Sequence, residues 1–178
     1  FYKTSTAPIQ FNTSDSLKNI INNGVSLMTF FGHGSGSSFD QNIDKASAYN
    51  NKGKYPFLVA ASCYSGDIHT LDLSTSEDFV LAHDRGTIGF LASVSVGVTQ
   101  FLRIYTSQYY QNIGRKNYGK SIGKILQGAL VDFESVTKDK QAKLTANEMT
   151  LHGDPAVIIN SFRKPDYMVN SASVFFDK

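Results

Sequence analysis

Tryptophan is absent from the 178 residues, and cysteine occurs once, at Cys63. A single cysteine excludes an internal disulfide and a thiolate-rich zinc site. An excess of one charge is missing too: 17 basic residues against 15 acidic ones, spread along the chain, leave no basic face for a nucleic acid and no acidic tail. No apolar run nears the roughly 18 residues of a membrane span. The longest, 87–98, is interrupted by Ser93 and Ser95. Internal repeats and low-complexity tracts are lacking. So are an initiator methionine and a charged-then-apolar leader; the chain opens Phe1-Tyr2-Lys3, which leads us to expect a piece of a longer polypeptide. With 41% hydrophobic residues the chain has enough apolar material for one core.

What is present centres on two short apolar runs, 25–31 and 55–61, each ending in a small, polar, glycine-flanked knot: Gly32-His33-Gly34-Ser35-Gly36 and Ser62-Cys63-Tyr64-Ser65-Gly66. Nearly continuous apolar runs of this length fit strands covered on both faces of a parallel sheet. Such sheets bind ligands beyond the carboxyl ends of their strands. If the two strands are neighbours, His33 and Cys63 enter one crevice. An imidazolium beside a thiol favours the thiolate, which is the nucleophilic form, and His33 can then protonate a leaving amine. Gly32 and Gly34 let backbone come close to a substrate. The N–H groups of Gly34 and Cys63 are the candidates for an oxyanion hole.

These residues resemble the gingipain family of caspase-like cysteine peptidases. The matching pieces are Phe31-Gly32-His33-Gly34-Ser35, Ala60-Ala61-Ser62-Cys63-Tyr64-Ser65-Gly66-Asp67, Glu77-Asp78-Phe79-Val80-Leu81 followed by Gly86-Thr87-Ile88-Gly89-Phe90-Leu91-Ala92-Ser93, and Leu151-His152-Gly153-Asp154-Pro155-Ala156, in the family's order. The resemblance implies an endopeptidase with Cys63 and His33 as its dyad, secreted or held at the cell surface, in many members by the type IX route of Bacteroidetes. Several members carry an immunoglobulin-like domain after the catalytic one. Two departures stand out. Only 32 residues precede His33, whereas the family's His-orienting acid lies well before it, and the tryptophan of the arginine-specific members is missing. Arginine or lysine specificity is therefore not carried over.

The expected fold is α/β, a caspase-like sandwich whose mainly parallel sheet is flanked by helices and lacks its first strands. Residues 1–162 would form the C-terminal part of a gingipain-like catalytic domain. Residues 163–178 would be a linker and the first strand of a following β-sandwich domain. In between we expect a helix capped at Ser14 or Asp15 with Leu17, Ile20 and Ile21 on one face, and a capping-box helix opening Ser74-Thr75-Ser76-Glu77. A strand over 87–92 and three further helices follow, two of them striped by Val98, Phe101, Leu102, Tyr105 and Tyr109 and by Ile122, Ile125, Leu126, Ala129, Leu130 and Phe133. The third spans about 140–150, with a last strand over 156–160.

Ser35, Asp40, Ser93, Val98 and Gln100, at the carboxyl ends of flanking strands, are expected to line the substrate pocket. Asp40 and Asp67 are the acids placed to orient His33 if that role falls within the chain. No metal site is expected, because His69, His83 and His152 lack ligand spacing. The chemistry requires no cofactor, and a structural calcium ion is compatible with it. Expected partners are a protein or peptide substrate and an upstream segment, from the same polypeptide or a separately processed chain, that completes the sheet and supplies the orienting acid. Alternatives are an inactive gingipain-like binding module, a secretion-signal-cleaving transpeptidase of the same family and, most weakly, a serine esterase. The last needs a Gly-x-Ser-x-Gly elbow that neither Ser62 nor Ser65 provides.

Overall fold

The computed structural model describes residues 11–40, 43–69, 72–160 and 162–165. The expected linker and following strand fall largely outside the described residues, as does the lead-in 1–10. Four strands form one sheet in the order β1 (Leu27–Phe31), β2 (Phe57–Ala61), β3 (Gly89–Ser93), β4 (Met149–Gly153). The first three are parallel and β4 runs antiparallel to β3. Helices α1 (Phe11–Asn23), α2 (Thr75–Val80), α3 (Thr99–Gln111), α4 (Ile122–Val136) and α5 (Lys140–Glu148) complete the fold.

Alternation along the strands sorts the helices onto two faces. Phe57, Val59, Ala61 and Leu91 pack with the apolar stripes of α3, α4 and α5. Leu58, Ala60, Phe90 and Ala92 face the other way, onto Ile21 of α1, Phe79 of α2 and Tyr49. Strands β2 and β3 are buried at every position, as a central strand covered on both sides must be. β1 is an edge strand and only half covered, with Phe31 49% exposed. Among the described residues nothing pairs with its outer side.

Three sequence expectations need correction. Helix α1 begins at Phe11, ahead of the expected caps, and its Ile20 is exposed while Ile21 is buried. The last strand is 149–153, where residues 149 and 150 were expected to be helix. The run Ala156-Val157-Ile158-Ile159-Asn160, although rich in β-formers, does not enter the sheet. It serves instead as a cap: the N–H groups of Ile122 and Gly123 donate to the carbonyls of Val157 and Pro155 at 2.8 and 2.9 Å, satisfying the start of α4, whose own N-cap Ser121 makes no side-chain bond.

Asn51, fully buried, ties the turns that feed β2 and β3 together at the end of the sheet away from the knots. Its Nδ2 donates to the carbonyls of Lys54 and Gly86 at 3.0 and 2.8 Å, and its Oδ1 accepts from the Gly86 N–H at 3.0 Å. Gly86 itself has φ +86° and lies where a Cβ would strike the Phe79 carbonyl. Asn51→Ala leaves these backbone groups without partners, and the expected cost is about 2–4 kcal/mol, read as a lower urea midpoint with unchanged m-value.

Candidate active site

Parallel pairing of β1 with β2 sets Phe31 beside Ala61, so His33 and Cys63 each stand two residues past the last paired position. The two knots touch. A Cβ on Gly34 would lie 2.9 Å from both the Cβ and Oγ of Ser62 and 3.2 Å from the Cys63 carbonyl, which makes glycine the residue that fits there. Phe30 and Gly32 complete the approach, the Phe30 ring lying where a Gly32 side chain would project.

The second knot is fixed from β3. Tyr64 N–H donates to the Ser95 carbonyl and Gly66 N–H to the Ser93 carbonyl, both at 2.9 Å. Between them the chain turns through Tyr64 at φ +55°, the left-handed region, a strain of roughly 1–2 kcal/mol for a residue with a Cβ. The buried hydroxyls of Ser62 and Ser65, 2.9 Å apart, brace the turn from beneath. The Cys63 thiol is half-buried and contacts the Gly97 carbonyl at 3.8 Å, so the loop after β3 passes beside it.

The first knot opens a short hairpin. Gly34 and Phe39 face each other as an antiparallel bridge, flanked by Ser35 N–H to Ser38 carbonyl at 2.8 Å and Asp40 N–H to His33 carbonyl at 3.0 Å. In this pattern the bonds are made by the residues on either side of the facing pair, so the Gly34 N–H points away from the hairpin. Among the described residues neither the Gly34 N–H nor the Cys63 N–H has an acceptor. Both donors are thus unpaired among the described residues, on the two knots that touch.

His33 is exposed, and Asp40 stands directly across the hairpin from it. The Asp40 carboxylate lies over Gly32, with Oδ1 3.1 Å from where a Cβ there would be, and among the described residues makes no ion pair with the imidazole. Asp67 is buried on the other knot, its Oδ1 accepting from the His69 N–H at 3.1 Å, and serves that turn.

Of the expected pocket residues, Ser35 is exposed at the hairpin tip, Val98 is half-buried at the N-cap of α3 and Gln100 is exposed in its first turn. Ser93 does not reach a pocket. It is fully buried, and its hydroxyl is spent on the Ser95 backbone, so only its carbonyl supports the site. Sequence reasoning missed the Ser62–Ser65 brace and the Gly97 carbonyl. The small polar residues on either side of Cys63 were the available signal for the former.

A mainly parallel sheet between helices, with an imidazole and a thiol at adjacent strand ends, is the fold of the caspase-like cysteine peptidases. The chain belongs to peptidase family C25, the gingipain family, whose model matches residues 1–160. Among solved structures it is similar to the Arg-specific cysteine proteinase gingipain R, with a TM-score of 0.76 and 18% identity over 88% of this chain and 37% of that one. A complex of the Porphyromonas gingivalis RgpB pro- and mature domains gives 0.75 and 17% over 82% and 36%. A structure described as a protease gives 0.67 and 14% over 78% and 36%. The chain therefore spans little more than a third of these proteins' length. No curated protein matches the sequence.

Proposed function

We propose that this chain carries the catalytic centre of a cysteine endopeptidase, in which Cys63 attacks the scissile carbonyl and His33 shuttles the proton. The observation that supports it is the contact between the two knots, Gly34 lying against Ser62 and the Cys63 carbonyl at the ends of adjacent strands, with the N–H groups of Gly34 and Cys63 lacking an acceptor among the described residues. The thiolate adds to the carbonyl carbon, and the oxyanion is held by the N–H groups of Gly34 and Cys63. His33 protonates the departing amine, leaving an acyl-enzyme that water then hydrolyses. Ser35, Asp40, Val98 and Gln100 form the rim on which substrate side chains rest. An amine in place of water in the second step would give the transpeptidase variant.

β1 is the natural place for the missing part of the sheet. An uncovered edge strand with an exposed phenylalanine invites pairing, and residues upstream of Phe1 would supply both the covering strands and an acid to hold His33. Localisation outside the cytoplasm is carried over with the family. Among the described residues no helix is long and apolar enough to cross a membrane.

Iodoacetamide labelling tests the dyad, and turnover of the 178-residue chain tests the upstream segment. In the longer polypeptide Cys63 is expected to alkylate at neutral pH about tenfold faster than in its His33→Ala variant. Residues 1–178 alone are expected to aggregate or turn over slowly. Equal labelling rates would remove His33 from the chemistry, and full activity of the 178-residue chain would remove the upstream segment.

A further inference from the structure

Behind the Cys63 turn lies a partly buried polar chain that the peptide chemistry does not use. His152 of β4 faces Phe90 across the sheet, on the side that carries α2. Its Nδ1 is 3.2 Å from Ser76 Oγ, Ser76 Oγ is 3.0 Å from Ser74 Oγ, and Ser74 Oγ–H donates to the Glu77 carboxylate at 2.8 Å. The carboxylate can only accept, which sets the direction of every other bond. With its one proton committed to Glu77, Ser74 must accept from Ser76. Ser76, its proton now committed, must accept from His152. The imidazole therefore carries its hydrogen on Nδ1, and Nε2 is a bare lone pair.

That Nε2 is buried and, among the described residues, has no hydrogen-bond partner. It abuts Gly66, lying 3.0 Å from where a Cβ there would be, beside the Cβ and carbonyl of Ala92. Ser76 N–H also donates to the Ser65 carbonyl at 3.0 Å, so α2, the imidazole and the Cys63 turn form one packed unit.

We propose that His152 is a positioning residue for residues 62–67, its neutral imidazole forming the floor of the Cys63 turn, so that protonation at Nε2 dislodges the turn and reduces turnover. That role rests on Cys63 being the nucleophile. Protonation would place an N–H against Gly66, where Nε2 makes no hydrogen bond among the described residues, and a charge in a partly buried site. The groups facing the ring decide how readily this happens. Glu77 of α2 is the carboxylate that favours the charged ring, Phe90 and Ala92 of β3 carry no charge, and in the turn the nearest ionisable group is Asp67, whose Oδ1 is engaged by His69 N–H. Burial outweighs Glu77 and holds the His152 pKa below the ordinary imidazole value of 6.5. A depressed folded-state value means that the unfolded chain binds the proton more readily. The contribution to stability is thus complete above the unfolded value and is lost as pH falls through the folded one.

The test uses the longer polypeptide. Nitrogen-15 NMR of the histidine rings is expected to show His152 as the Nδ1–H tautomer, titrating below the ordinary imidazole value. In kinetics, His152→Asn keeps a donor for Ser76 but cannot titrate. It is expected to lower kcat about tenfold near neutral pH with KM unchanged, and to convert a two-proton acid limb, about 100-fold per pH unit, into a one-proton limb of about tenfold. An Nε2–H tautomer, or the same acid limb in both proteins, would overturn the role. Should the variant not fold, the tautomer and titration in the unmutated protein still decide. Full activity of Cys63→Ala would instead overturn Cys63 as the nucleophile, and hydrogen exchange at the Gly66 amide, accelerating as His152 titrates or not, would then judge the floor independently of turnover.

Discussion

Cys63→Ala is expected to lower peptide hydrolysis by about 10⁴-fold or more, with the thermal midpoint almost unchanged. The separation of the two effects follows from the surroundings. The thiol is half-buried and among the described residues makes a weak contact to the Gly97 carbonyl, so its loss creates little cavity and strands no strong hydrogen bond there. His33 is exposed, and His33→Ala should likewise leave folding intact while costing about 10³-fold or more in turnover. Because the two groups act on one proton, the double variant should be scarcely slower than the worse single one. Hydrolysis of a peptide library by the unmutated protein no faster than by Cys63→Ala would identify the inactive binding module instead.

The parts of the fold that could be read from sequence are those where burial alone dictates the pattern. β2 and β3 are apolar at nearly every position because both faces are covered, and the stripes of α3 and α4 repeat with the helical period because only one face is. Glu77 as a cap partner was legible because the capping box is local; the Ser74 side chain and Glu77 satisfy each other's backbone as the three-residue spacing requires. β4 was not legible. Met149-Thr150-Leu151-His152-Gly153 alternates apolar and polar residues but is short and directly follows a helix, and it becomes a strand because Leu151 and Met149 find Leu91 and Ser93 across the sheet. Tertiary pairing, not propensity, decides it. Residues 156–160 show the converse, β-formers outside the sheet, with the Val157 carbonyl, like that of Pro155 before it, taken by the start of α4.

The site divides in the same way. His33 and Cys63 were visible as glycine-flanked residues at the ends of apolar runs, but His152 was hidden inside a motif that reads as a turn. Its importance lies in a chain of hydroxyls contributed by α2, seventy-six residues away from it for Ser76, and no local pattern encodes that contact.

Gly34→Ala is expected to lower kcat by about 10²–10³-fold while shifting stability far less than a core substitution would. The backbone at Gly34 is not in the left-handed region, so an alanine meets no conformational barrier. What it meets is Ser62, at 2.9 Å for both Cβ and Oγ, and the Cys63 carbonyl at 3.2 Å. Ser62 cannot move aside, because it is buried and its hydroxyl is held by Ser65. The exposed hairpin 33–40 must therefore yield, and it carries both His33 and the Gly34 N–H away from the thiol. Gly114→Ala is the matched control, since a Cβ there finds nothing within 4 Å and its φ is likewise ordinary. Steady-state kinetics and thermal unfolding of both variants, in the longer polypeptide, separate the outcomes. Retention of full kcat in Gly34→Ala would show that the knots can part without cost, and the Gly34 N–H would lose its place as an oxyanion donor.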